Sequence, residues 1–117
     1  MNTRTVGSAK EEVAAAYLTE QGLYVKEKNF RSRYGEIDIV AKDGDVLVFV
    51  EVKYRKTASS GHPEEAVNLK KSKIICRVCD YYRIRYKIPS DTQVRFDVVA
   101  IEGENIKWYR NAFPYTI

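Results

Sequence analysis

The sequence predicts an α/β domain, a central mixed β-sheet flanked by helices, in the order α-β-β-β-α-β with one more short strand at the end. Three observations carry this expectation. Apolar residues recur at helical spacing over residues 9–21 and 64–86, and alternate or run together in the segments between and after. Val and Ile number 22 against 4 Leu, a balance that leans the core toward β-structure. The stretch from Val46 to Val52 is apolar on both faces until its end, so it requires cover on both sides, which two helices can supply.

The elements follow in order. Ser8 with Glu11 three positions on has the capping-box spacing and places the start of the first helix. Val13, Ala14, Tyr17, Leu18 and Gln21 continue it, and Gly22 ends it. Residues 23–29 read as a short strand and residues 31–34 as a polar turn. Residues 35–42 and 45–54 read as a hairpin closed at Asp43-Gly44. Residues 55–63, with Thr57, Ser59, Ser60, Gly61 and Pro63, form a loop. In the long helix 64–86, Val67, Lys71, Ile74, Ile75, Val78 and Tyr82 lie along one side. Strands over 92–102 and 106–109 follow, and the tail 111–117 has no clear period.

At 117 residues the chain is one domain, 1–117. Its 20 Lys and Arg against 16 Asp and Glu leave a net charge of +4, which suits nucleic acid or another anionic surface. Apolar runs such as Val46 to Val50 are far short of the ~20 residues that span a bilayer, so no membrane partner is expected. The first seven residues lack a hydrophobic signal region, which makes a cytoplasmic location the expectation. Two cysteines there stay thiols. Cys76 and Cys79, inside a helix and far in sequence from the single His62, are expected to pack rather than bind zinc. One His also argues against a Ser-His or Cys-His hydrolase, and there is no phosphate-binding glycine loop.

The charged ends of two apolar strands are the most informative feature. Leu47, Phe49, Glu51 and Lys53 share a face by alternation, as do Glu36, Asp38 and Val40 on the preceding strand, with Ile37 and Ile39 on the other face. A two-residue turn at Asp43-Gly44 sets Lys42 opposite Asp45, Asp38 opposite Phe49 and Glu36 opposite Glu51. Asp38 is then diagonal to Glu51, at roughly 7 to 8 Å. Two carboxylates so placed can share a divalent cation such as magnesium, whose oxygen ligands lie at about 2.1 Å. Lys53 would then orient or deprotonate a water, or stabilise a pentavalent transition state. The same charges can instead make salt bridges solvated at a sheet end. Glu11 adds a fourth acid near the sheet-facing side of the first helix, since Ala14, Ala15 and Leu18 are its helical neighbours.

Residues 67–87 hold Lys70, Lys71, Lys73, Arg77, Arg83, Arg85 and Lys87 against one acid, Asp80. Such a helix supplies phosphate contacts rather than sequence readout. Tyr81, Tyr82 and Tyr86 either stack on bases or pack inward. Arg55, on the Glu51 face, and Arg31 and Arg33, just before the second strand, are further phosphate candidates, with Lys70 and Lys71. Asp97 shares the face of Arg95 and can bridge to a basic group. Trp108, Tyr109 and Phe113 are expected to cover the sheet edge or form a dimer contact.

Taken in order, several segments resemble the YraN family of small bacterial proteins. They are Gly35-Glu36-Ile37-Asp38-Ile39-Val40-Ala41, Val48-Phe49-Val50-Glu51-Val52-Lys53-Tyr54-Arg55, Glu65-Ala66-Val67 with Lys71, Arg95-Phe96-Asp97-Val98-Val99, and Asn111-Ala112-Phe113. That family is similar to archaeal Holliday-junction resolvases and the restriction-endonuclease-like fold. The resemblance implies that Asp38, Glu51 and Lys53 form an Asp…Glu-x-Lys nuclease signature, with Glu36 beside it. Glu11 falls on the acid of the first helix that completes the metal site. One departure is Lys10 where the family's Gly-x-x-Gly-Glu has Gly. The implied activity is Mg2+- or Mn2+-dependent endonucleolytic hydrolysis of branched or structured DNA by a homodimer. The rivals are a nucleic-acid-binding module that keeps the fold without cutting, and a nuclease directed at RNA or single strands.

Overall fold

A computed structural model describes residues 3–55 and 68–116. These comprise α1 (Thr3–Glu20), β1 (Tyr24–Ser32), β2 (Gly35–Asp43), β3 (Val46–Arg55), α2 (Leu69–Arg85), β4 (Val94–Glu102) and β5 (Asn105–Tyr109). The strands lie side by side in sequence order. Neighbours are antiparallel except β3 and β4, whose parallel pairing follows from the crossover through α2. This is the expected α/β class with the additional last strand, and it is compatible with a nuclease-like fold. No helix among the described residues is long and apolar enough to cross a membrane.

The two-sided burial of β3 organises both layers. Val48 and Val50 face α1, where Ala14, Ala15 and Leu18 meet Ile39, Ala41, Val99 and Ile101. Leu47 and Phe49 face α2, where Ile75, Cys76, Val78, Cys79 and Tyr82 meet Ile37, Val40 and Phe96. The paired cysteines are core side chains, and burial pushes the Cys79 thiol up to about 12, which leaves it inert. Of the three tyrosines, Tyr82 packs inward, meeting the rings of Phe30 at 5.1 Å and Tyr86 at 4.6 Å, while Tyr81 is half-buried and Tyr86 exposed. Trp108 lies edge-on to Tyr17, and Phe113 stacks on Phe96, so the aromatic end of the chain covers the sheet as expected. Gly35, with φ of +144°, lies under α2, where an added Cβ would come within 2.8 Å of the Ile74 side chain.

Several boundaries differ from the expectation. The α1 backbone is already helical at Thr3, so Ser8 and Glu11 lie inside the helix and form no capping box. Val13 is exposed, and Ala15 takes its place in the core. β1 runs on to Ser32, which leaves only Arg33 and Tyr34 for the turn. α2 begins at Leu69, where the Asn68 side chain accepts the Lys71 N–H at 2.9 Å, a cap that stops the helix from starting earlier. The expected loop and first helical turn, with His62, fall within residues 56–67 and lie outside the described residues.

The β2–β3 turn is also displaced. Asp43 pairs with Val46, so the two loop residues are Gly44 and Asp45, and Gly44 supplies the φ of +61° that such a turn needs. The register therefore moves by two residues and keeps its parity. Asp38 comes level with Glu51 rather than with Phe49, and Glu36 does not face Glu51. Alternation also breaks at Asp38: Ile37 joins the α2 layer and Ile39 the α1 layer. The same break occurs in β1, where Asn29 has φ of +56° and is skipped between Lys28↔Ile39 and Phe30↔Ile37.

A second polar device fixes the far side of the sheet. Asp97 is wholly buried and accepts bonds from Arg95 Nε and Nη2 at 2.9 and 3.0 Å, Trp108 Nε1 at 2.9 Å and the Asn111 N–H at 2.8 Å. Arg95 also reaches Asp43 at 3.0 Å. The expected bridge to a basic group is thus present, and it joins β4, β5 and the start of the tail. Asp97→Ala should cost about 3 to 5 kcal/mol in urea unfolding, because Arg95, itself largely buried, loses its main partner. A loss below about 1 kcal/mol would show the network to be dispensable.

Candidate active site

Local backbone geometry creates the site. The β2–β3 ladder stops at Ile39↔Val50, and beyond it the Val52 N–H donates to Asp38 Oδ2 at 2.7 Å. A carboxylate thus replaces the next main-chain acceptor. Because alternation breaks at Asp38, its carboxyl points to neither layer and fills the gap between the strands. Glu11 approaches from α1, on one side of the sheet. Glu51 belongs to the other face, with Leu47, Phe49 and Lys53. Asp38 lies within hydrogen-bonding reach of both, so the three carboxyls form a row through the sheet end.

All three acids are held above the usual carboxylate range. For Glu51 burial dominates, the charge of Asp38 adds to it, and Lys71 and Lys53 oppose it, leaving the group pushed up to about 7. For Asp38 burial again dominates, against the hydrogen bonds from Val52 and Glu11 and the charge of Lys71. Glu11 is raised by burial and by Asp38, with Asn29 opposing. Lys53 and Lys71 both stand 3.8 Å from Glu51 Oε1, so the alternative salt-bridge reading has a physical basis. At that distance there is Coulomb attraction but no hydrogen bond, and it does not overcome the cost of burying the carboxyl.

Tested against a divalent ion, the residues fit. The donors are hard carboxylate oxygens, which suit magnesium or manganese. Glu11 Oε2 is buried and has no hydrogen-bond partner among the described residues. No three His, Cys, Asp or Glu side chains among the described residues surround a ready-made ion cage. The carboxyls stand close enough that Asp38 raises the proton affinity of both Glu11 and Glu51.

The other expected site residues are placed unevenly. Glu36 is exposed and pairs with Arg31 at 3.2 Å, so it stands at the rim and influences Asp38 and Glu11 only through its charge. Arg33 is exposed and bonds the Tyr34 hydroxyl at 2.8 Å. Lys70 is exposed on the first turn of α2, one residue from Lys71. The side chain of Arg55 lies outside the described residues. Arg77 is engaged by the tail through Tyr115 and Thr116. Asn29 was not foreseen. Its signal was an Asn, the residue most tolerant of positive φ after Gly, inside a strand pattern.

Fold and site together define a class: a small mixed α/β domain whose central strands part around a row of buried and half-buried acids, rimmed by lysines from the sheet and from one helix. Within that class, the chain belongs to a family described as "Uncharacterised protein family UPF0102", whose model matches residues 10–101. This bears out the resemblance to YraN proteins. Similar proteins, each named UPF0102 protein, occur in Lachnoclostridium phytofermentans (46% identical over 113 residues, 97% of this chain and 96% of that protein). Others occur in Syntrophus aciditrophicus (44% over 116 residues, 96% and 90%) and Persephonella marina (40% over 107 residues, 92% and 91%).

Glu51 gives the site a pH signature. Below about pH 4.5 it is protonated in both folded and unfolded chains. Between 4.5 and about 7 the unfolded chain releases the proton and the folded chain keeps it, so metal-free stability falls through this window and then levels off. The full change is on the order of 3 kcal/mol. Glu51→Gln should therefore be more stable than the wild type in urea at pH 8 without metal, with the gain vanishing below pH 4.5. A Gln variant less stable at pH 8 would make Glu51 a structural ion-pair partner.

Proposed function

We propose that the protein is a Mg2+- or Mn2+-dependent endonuclease that hydrolyses phosphodiester bonds in branched or structured DNA. The observation that carries this reading is the row of buried Glu51 with half-buried Asp38 and Glu11, short of counter-charge, with Lys53 at its end. Asp38 and Glu51 would hold the ion, with Glu11 completing the set. Bound there, the ion would supply neutralisation of phosphate charge and a lowered water pKa.

The chain's own groups divide the remaining work. Asp38 is fixed by the Val52 N–H, so its second oxygen is held in a constant direction. Lys53, two residues from Glu51 and partly exposed, would orient a water or stabilise charge on a pentavalent phosphate. Lys70, Lys71, Arg31 and Arg33 would supply backbone phosphate contacts. Branched DNA is preferred by analogy with the resolvases that the YraN segments resemble. Symmetric cutting of two strands would be served by a homodimer.

The test is incubation with junction, flap, linear and single-stranded DNA in Mg2+ or Mn2+, against chelator. Junction cutting by the wild type, reduced at least about 100-fold in Glu51→Ala and Lys53→Ala, is the expected result. Undiminished cutting by both variants would remove these residues from the mechanism. Binding of DNA with no cleavage of any substrate would favour the non-catalytic module.

A further inference from the structure

Two lysines share Glu51, but they are not equivalent. Lys53 is two residues away on the same strand, 28% exposed, and moves with it. Lys71 reaches across from the first turn of α2, is 38% exposed, and is anchored by the Asn68 cap on its own N–H. It thus meets Glu51 from a different element than Lys53 does, at the same 3.8 Å, and its charge also acts on Asp38.

From this placement, we propose that Lys71 is an exchangeable internal counter-cation: it neutralises the Asp38–Glu51 pair in the metal-free protein and is released to a DNA phosphate when a divalent ion binds. The proposal rests on the metal-dependent reading above and adds a coupling between the two ligands. The 3.8 Å separation is an attraction without a directed bond, so it yields readily. A divalent ion brings twice the charge at about 2.1 Å, close to half that distance. Once displaced, the ammonium sits on a flexible stem beside exposed Lys70, with solvent access, and a phosphate is the natural partner. Two consequences follow. Lys71 weakens metal binding by competition. It also strengthens DNA binding only in the metal-loaded state, so the two ligands cooperate.

The test measures both ligands without cleavage. Calorimetric titration with Mg2+ and Mn2+ compares the wild type, Lys71→Met, Lys71→Gln and, as a control, Lys73→Met, an exposed lysine of the same helix. The Lys71 variants should bind the ion about 3- to 10-fold more tightly, and the control should change less than about twofold. Junction binding is then measured in Ca2+ and in chelator. Lys71→Met should weaken binding in Ca2+ and leave it unchanged in chelator, and Lys71→Arg should restore it. If the wild type binds no divalent ion, the metal-dependent reading falls and this proposal with it. If the wild type binds the ion and the Lys71 variants bind it equally or less tightly, the exchange is overturned and the metal site stands. An equal loss of DNA affinity in Ca2+ and chelator would also overturn it, since Lys71 would then be a plain phosphate contact.

Discussion

The hydrogen bond from the Val52 N–H to the Asp38 carboxylate is the interaction on which the site depends. A sheet interior normally satisfies each N–H with a main-chain carbonyl. Here a side chain does so, and the two central strands are free to part without leaving a buried donor orphaned. The same bond fixes Asp38 at the one place where groups from both faces of the sheet meet. Without the parting, Glu11 and Glu51 would be separated by a continuous β-layer and could not act on one ligand.

The arrangement sets stability against chemistry. Three acids brought together, one buried and two half-buried, hold raised proton affinities, and two lysines offset only part of that cost. Evenly paired charges would fold more stably and would leave nothing for a ligand to complete. The Asp97 network shows the contrast in the same molecule. There a buried acid has four hydrogen-bond donors at 2.8 to 3.0 Å, and Arg95 is tied down at both ends. That centre is closed, and it braces β4, β5 and the tail. The Asp38 centre is open. Donor supply separates the two centres: Asp97 is wholly buried and saturated with donors, whereas buried Glu51 has only two lysines at 3.8 Å.

Much of this was legible in the sequence. Two-sided burial of β3 followed from its composition, and it dictated a helix on each face. The association of Asp38, Glu51 and Lys53 also survived a turn misplaced by one residue at each arm, because a register shift of two preserves parity. What could not be read was the break in alternation. A period of two assumes regular strands, and Asn29 with its positive φ ends that regularity at Asp38. Strict alternation kept Asp38 on the face of Glu51. The observed geometry puts it between faces, which is how Glu11, on the opposite helix, comes into the row. The helix starts were missed for a different reason. Capping chemistry is local and has several near-equivalent solutions along a polar segment, and tertiary packing chooses among them.

The net charge of +4 conceals this organisation. Lysines and arginines dominate the outer surface of α2, while the acids that would repel a polyanion are drawn into the cleft beside it. Under the proposed reading, a DNA strand drawn to the helix would meet that acidic cleft at its end, and a divalent cation would reconcile the two. Lys71 stands on the boundary, at the first turn of the basic helix and within reach of the acids. One side chain thereby links the charge state of the cleft to the surface on which a phosphate backbone would lie. In the proposed reading, that link would give α2 a role beyond covering the sheet, exercised through the turn that Asn68 caps next to the site.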